Sequence, residues 1–190
     1  MLITTDRLTL HAWSEEFFED LFALARLPEI TRYVRHGRPW SRDYTMSRHQ
    51  STLAHWAEHG FGWLAVRDSS FTGLVSLVRR TAWETGLGVP AVEMGWWISP
   101  SAWGKGYATE ATTAVRDHVF EQGFTDTLLA VYEPANSASE RVVTKLGFAT
   151  HSEYEQDGRT FRRAVRRSVG NGGRDIADPA VHGLGQTRFI

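Results

Sequence analysis

The sequence contains no cysteine. That absence removes disulfides, thiolate metal sites and any acyl-cysteine intermediate at once. Lysine is nearly as scarce, with Lys105 and Lys145 the two in the chain, so positive charge is otherwise carried by arginine. No apolar run approaches the roughly 18 residues of a membrane span. The first ten residues, MLITTDRLTL, show neither the basic start nor the apolar stretch of a secretory signal. The expectation is a soluble, cytoplasmic protein. An excess of charge of one sign is also missing. With a formal net charge of −1, no global field draws the chain to nucleic acid or to an anionic membrane, and neither is expected as a partner.

Aromatic residues, by contrast, are plentiful. Eight Trp, ten Phe and five Tyr in 190 residues supply enough surface to bury that disorder is excluded for the bulk of the chain. The length sits below the point where single cores usually divide. One domain over residues 1–169 is expected, followed by a Gly-rich, aperiodic tail over 170–190.

Hydrophobic spacing sets the order of elements. Residues 7–13 alternate as a strand, 15–26 read as a helix with Ser14 as its cap, and a short turn follows Pro28. A second helix over 43–59 ends at Gly60. The period then changes to two over 63–67, 73–80 and 91–98, with a Gly-containing turn at 85–90 before the third strand. A strongly amphipathic helix over 106–122, a buried strand over 127–132 and a short helix over 137–146 come next. A hairpin, 148–155 and 159–167, closes around Asp157-Gly158. The predicted class is mixed α/β, with about seven strands and four helices.

The most informative segment is Pro100-Ser-Ala-Trp-Gly-Lys-Gly-Tyr-Ala-Thr-Glu-Ala111. A glycine-containing loop between a strand and a helix start leaves backbone N–H groups unpaired at the positive end of the helix dipole, which makes an anion site suited to phosphate. It is not a P-loop, because Gly106 rather than Ser or Thr follows Lys105. Nor is it a dinucleotide fingerprint, because Thr109 stands where a third small residue is needed and the strands before it read as antiparallel. A tight turn whose glycines serve only backbone geometry remains the alternative on this loop alone. The second segment, Asn136-Ser-Ala-Ser-Glu-Arg-Val-Val-Thr-Lys-Leu-Gly-Phe148, follows the buried strand. Here Ser137 with Glu140 reads as a capping box and Asn136 as a cap in its own right.

Together these segments resemble the GNAT superfamily of acetyl-coenzyme A-dependent N-acetyltransferases, and within it the RimJ/RimL-like branch. Thr5-Asp-Arg-Leu8 looks like the family's opening and Glu93-Met-Gly-Trp-Trp-Ile98 its central strand. Trp103, Gly104, Lys105, Gly106, Tyr107, Ala108 and Thr109 match its pyrophosphate loop. Asn136, Ser139 and Lys145-Leu-Gly-Phe148 match its later motif. The resemblance implies a GNAT-like twisted mixed sheet and acetyl-CoA as co-substrate, with no metal. It places the pantetheine arm in a cleft where two strands splay apart. Backbone groups of Trp96, Trp97 and Ile98 would line that cleft, one N–H acting as an oxyanion donor. Asn136 would hydrogen-bond the arm and Ser139 would sit near the sulfur, while Lys145 lies within the later motif assigned to the cofactor. Two departures stand out. Trp103 takes a place where many superfamily members carry Arg or Gln, and Val143 the place of a frequent Tyr general acid. The first throws phosphate binding onto the backbone; the second leaves the acid unassigned and keeps a CoA-binding sensor or interaction module as the alternative to an enzyme.

Glu93 is the expected general base, a partly buried carboxylate whose pKa desolvation would raise. The expected acceptor is a protein N-terminal α-amine, with small-molecule amines next. Three features have competing readings. His55-Trp-Ala-Glu-His59 matches an inverted zinc-protease pattern but lacks a recognisable third ligand. Trp13, Phe17, Tyr33, Trp40, Trp63, Trp83 and Tyr132 suit either an acceptor pocket, with Glu84 as an acidic neighbour, or core and homodimer contacts. Arg162-Arg163 and Arg166-Arg167 read as a solvated strand face rather than a nucleic-acid patch.

Overall fold

The computed structural model describes residues 1–34 and 36–169, so the tail expected over 170–190 lies outside the described residues. The chain begins with β1 (Leu2–Thr4) and β2 (Thr9–Ala12), then α1 (Phe18–Ala25), α2 (Pro28–Thr31) and α3 (Arg42–His59). β3 (Leu64–Arg67) and β4 (Phe71–Arg80) follow, and α4 (Ala82–Thr85) leads into β5 (Ala91–Ile98). α5 (Tyr107–Glu121) connects β5 to β6 (Thr127–Tyr132), and α6 (Ser137–Lys145) precedes the hairpin of β7 (Ala149–Gln156) and β8 (Arg159–Arg167). The eight strands form one sheet in the order β1-β2-β3-β4-β5-β6-β8-β7. Every neighbouring pair is antiparallel except β5 with β6. A parallel pair needs a crossover, and α5 supplies it.

The mixed α/β class is as expected; the details differ for local reasons. β1 is an eighth strand, too short at three residues to show a period. The first helix is split, because residues Glu15–Phe17 form a 3-10 turn before α1 starts. Ser14 does stand at the cap position, but its hydroxyl donates to Glu16 instead of accepting a backbone N–H. Before the turn at 85–90 lies the unexpected α4, closed by a capping box in which Thr81 and Glu84 satisfy each other's backbone N–H groups. The Asp157-Gly158 turn has both residues at positive φ, as a two-residue hairpin loop requires.

Strands β3 and β4 are buried on both faces, which is why their runs of Leu, Val and Ala are nearly continuous. Leu10, Val66, Val75, Met94 and Leu128 pack on one face with Ala111, Val115 and Val119 of α5. On the opposite face Trp13, Phe17, Leu21, Trp63, Ala65 and Leu74 form a second cluster, where α1 packs on α3. The sheet centre is therefore fixed from both sides, and β5 and β6 run through it.

Candidate active site

The parallel pair β5/β6 is joined at two positions, Val92 with Leu128 and Glu93 with Leu129. Beyond Glu93 the strands part, and a cleft of about 600 Å³ opens between them, lined by Met94 to Trp97 on one side and by Val131, Tyr132, Asn136 and Ser139 on the other. The register of β5 on β4 decides which backbone groups face it. Ser99 donates its N–H to Thr72, so positions 99, 97 and 95 turn their hydrogen-bonding groups toward β4. Strict alternation then turns Trp96 and Ile98 toward the cleft. Trp97 is thereby separated from its neighbours: its backbone is spent on β4, and its ring packs on Trp40 at 4.9 Å. The carbonyl of Ile98 is also taken, since the Trp103 indole donates to it at 2.7 Å. Beyond the ladder's end the N–H groups of Trp96 and Ile98 have no partner among the described residues, and Trp96 is the one whose residue lines the cleft.

Past Ile98 a 3-10 turn (Pro100–Ala102) leads into Gly104 at φ 76° and Gly106 at φ 82°, both in the left-handed region that favours glycine. Gly106 caps α5, and the first helical N–H to find a partner is that of Glu110, on the Gly106 carbonyl. The N–H groups of Tyr107, Ala108 and Thr109 are thus available to an outside acceptor. A Cβ built on Gly106 would meet only the Arg7 guanidinium, at 3.6 Å, so the loop leaves open room where an anion would lie. Around it Lys105 lies 5.7 Å from the Tyr107 ring centre and Arg7 4.9 Å. The loop fits a pyrophosphate through backbone, dipole and flanking cations.

Asn136 is the cap of α6, its side chain accepting the Ser139 N–H at 3.2 Å. The capping box read from Ser137 and Glu140 does not form, because Ser137 is already the first helical residue. Both Asn136 and Ser139 line the cleft, so capping and ligand contact are compatible uses of one residue. Lys145 lies exposed in the last turn of α6, away from the cleft lining. Val143 is buried in the core at 3% exposure.

Glu93 stands at the last paired rung, where the cleft begins. It is partly buried, as expected, and Arg80 donates to its Oε2 at 2.8 Å, while among the described residues its Oε1 accepts no hydrogen bond. Burial works against the Arg80 charge, but Glu93 and Glu84 outweigh it and hold the guanidinium charged. On this face the walls are aromatic: Tyr33, Trp40, Tyr44, Trp63, Tyr154 and Phe161 all line the cleft. Tyr154 has its pKa pushed up by burial, with Arg163 opposing from 3.9 Å over the ring. Tyr44, Arg80 and Tyr154 were not singled out from the sequence, although the alternation of β7 would have paired Tyr154 with Phe161. The aromatic set divides between its two readings: Trp13 and Phe17 are core, while Tyr33, Trp40, Trp63 and Tyr132 line the cleft. Trp83 is 62% exposed, and Glu84 is used in the α4 cap rather than as a pocket acid. The arginine strand is only partly a solvated face: Arg167 is exposed, but Arg162 pairs with Glu140 and Glu153, and Arg163 stacks on Tyr154.

The zinc reading of His55 and His59 fails on geometry. His55 donates Nδ1–H to the Phe61 carbonyl at 2.8 Å and accepts the Arg79 N–H on Nε2 at 3.0 Å, so neither nitrogen is free for a metal. Among the described residues no cluster of His, Asp or Glu could hold a metal ion. Burial is the main cause lowering the His55 pKa below the ordinary 6.5. The unfolded chain therefore takes up this proton at higher pH than the folded one does. Stability is full above about pH 6.5 and falls as pH drops toward the folded value. Melting curves from pH 7.5 down to 5.5 should fall less steeply for His55→Gln than for the parent; equal slopes would show that this histidine does not couple folding to pH.

The Acetyltransferase (GNAT) domain family matches residues 7–149. FsC-acetyl coenzyme A-N(2)-transacetylase of Aspergillus fumigatus is 29% identical over 154 residues, covering 78% of this chain and 65% of that protein; the chain thus spans just under two thirds of that relative. A GNAT-family acetyltransferase structure from Bordetella pertussis superposes with a TM-score of 0.75 at 24% identity, covering 87% of this chain and 99% of that one. A Salmonella typhimurium acetyltransferase that modifies the N-terminal serine of ribosomal protein L7/L12 gives 0.72 at 16% identity, covering 88% and 99%. At these identities the two structures show a shared fold. Among the described residues no helix is long and apolar enough to cross a membrane. With the family matched over three quarters of its length, and the strand-splayed sheet in place, the chain belongs to the GNAT family of acetyl-CoA-dependent acetyltransferases.

Proposed function

We propose that this protein transfers the acetyl group of acetyl-CoA to a protein N-terminal α-amine, by direct attack within a ternary complex. The observation that carries this reading is the opening of the sheet at Glu93. The cleft brings the backbone of Trp96, the Ser139 side of α6 and the aromatic face around Glu93 into one space. In this reading the pyrophosphate lies on residues 103–109 and the pantetheine arm runs past Asn136. The Trp96 N–H donates to the thioester oxygen as negative charge develops there. The amine nitrogen forms the new bond to the carbonyl carbon and gives its proton to Glu93 Oε1. The carbon–sulfur bond breaks, sulfur keeps the electron pair, and the Ser139 hydroxyl donates a hydrogen bond to the departing thiolate. Lys145, at the far end of α6, would act on the cofactor as a peripheral cation.

The L7/L12 enzyme with the same fold modifies a protein N-terminus. A small-molecule amine is the second reading, supported by the A. fumigatus relative's named N(2) transfer and by a cleft volume within the usual range for small ligands. A thiol-release screen over peptides with free N-termini, aminoglycosides and polyamines separates them; turnover confined to peptides supports the first, and turnover confined to the small amines overturns it. No turnover with any amine, despite CoA binding, would favour the sensor alternative left open by Val143.

Ser139→Ala is a sharper test of the leaving-group step. Alanine keeps the backbone N–H that Asn136 caps, so α6 should be retained. A bond made mainly in the transition state affects turnover more than binding, and kcat should fall about tenfold with little change in CoA affinity. A loss of affinity with unchanged turnover would make Ser139 a binding residue.

A further inference from the structure

The loop that would hold the pyrophosphate carries an anion of its own. Glu110 lies in the first turn of α5, at the same positive helix end. Burial works against its charge, but hydrogen bonds from the Thr5 hydroxyl and from Arg7 outweigh it and hold the carboxyl below the ordinary range. It is therefore ionised at neutral pH, beside the place a doubly charged ligand must enter. Arg7, 103 residues away in sequence, answers it. Its Nε donates to Glu110 Oε2 at 2.7 Å, its Nη2 lies 2.5 Å from the same oxygen, and its backbone N–H donates to Oε1 at 3.1 Å. Its Nη1 donates to the Lys105 carbonyl at 2.9 Å. Thr5 completes the latch with a hydroxyl bond to Glu110 Oε1 at 2.6 Å.

Two physical consequences follow. The Lys105 carbonyl, held by Arg7, has its negative end neutralised by a guanidinium instead of left to oppose a phosphate. The guanidinium also cancels the Glu110 charge that would otherwise compete for the helix dipole. Trp103, whose indole is occupied by Ile98, supplies neither service. We propose that Arg7 is a cofactor-positioning residue: the segment before β2 clamps the pyrophosphate loop and neutralises Glu110, so that CoA meets a preorganised and net-positive site. The role is positioning, since all three guanidinium nitrogens are committed to protein partners. It rests on the assignment of CoA to this loop.

The test is a double-mutant cycle read by calorimetry with CoA and by steady-state kinetics. Arg7→Ala should weaken CoA binding about tenfold or more, raising the acetyl-CoA KM and leaving the acceptor KM near its parent value. Glu110→Gln alone should change affinity by less than about threefold. The double variant Arg7→Ala/Glu110→Gln should bind CoA more tightly than Arg7→Ala, because the uncompensated charge is gone. A purely structural latch predicts the opposite, a double variant no better than Arg7→Ala, and that result would overturn the proposal. Unchanged CoA affinity in Arg7→Ala would overturn it too. If Arg7→Ala does not fold, Arg7→Lys is the variant to read: it keeps the charge but not the two-sided clamp, and its affinity should fall below the parent's and improve with Glu110→Gln no further, whereas parent affinity would count against the clamp. Failure of the underlying assignment shows separately, as unchanged CoA affinity in Gly106→Asp.

Discussion

Gly106→Asp should abolish useful CoA binding while leaving the fold intact. The two halves of that expectation come from different observations. A Cβ at Gly106 meets only the end of the Arg7 side chain, at 3.6 Å, so the substitution does not disturb the core. The backbone is at φ 82°, which costs an Asp or Asn about 1 kcal/mol. The ligand fares differently. A carboxylate would project into the space that the N–H groups of Tyr107, Ala108 and Thr109 leave for a phosphate, adding repulsion and removing the close backbone approach. We expect affinity to fall at least about 100-fold, or about 2.8 kcal/mol. Gly106→Asn has nearly the same shape without the charge and should lose clearly less. Calorimetry on both variants, with melting curves as the folding control, checks the pair. A folded Gly106→Asp protein that binds CoA like the parent would remove the pyrophosphate from this loop.

Glu93→Gln is the second large effect. Arg80 binds Oε2, and a glutamine carbonyl can still accept that bond, so the acceptor wall should keep its shape. What is lost is a proton acceptor where the cleft opens. General base catalysis contributes about 100-fold or more, and kcat should fall by that order at neutral pH. It should recover partly at high pH, where the amine arrives already neutral. If Glu93 instead only holds the ammonium form of the acceptor, the variant raises the acceptor KM and leaves the pH profile of kcat unchanged. Parent-like kcat at neutral pH would end the base assignment.

How much of this was legible in the sequence depended on range. The anion loop is local: strand end, two glycines and a helix start lie within a dozen residues, and each leaves a mark in composition. The Asp157-Gly158 hairpin and the Gly60 stop are local in the same way. Ser137 and Asn136 both read as caps because they are adjacent and each side chain can accept the same kind of bond; the structure gives the role to Asn136. Thr81 and Glu84 show the reverse case, a capping box with an ordinary sequence signature in a stretch that the nearby glycines marked as a turn. The Arg80–Glu93 pair could not be read, since it depends on the register of β4 against β5, which sets Val78 rather than Arg80 opposite Glu93. The Arg7–Glu110 latch depends on tertiary packing across the chain. The splay after Glu93 is likewise a property of two strands, and neither strand's residues announce where pairing stops.

Direct transfer requires both substrates to be held together in the β5/β6 cleft before any bond is made. Initial rates of thiol release, measured while acetyl-CoA and a peptide with a free α-amine are varied together, test that most directly. Lines that intersect in the reciprocal plot, with no thiol released until the peptide is added, are the predicted result. Parallel lines, or a burst of thiol from acetyl-CoA alone, would mean that an acetylated protein forms first, and would contradict a ternary complex in a chain that has no cysteine to carry the acetyl group.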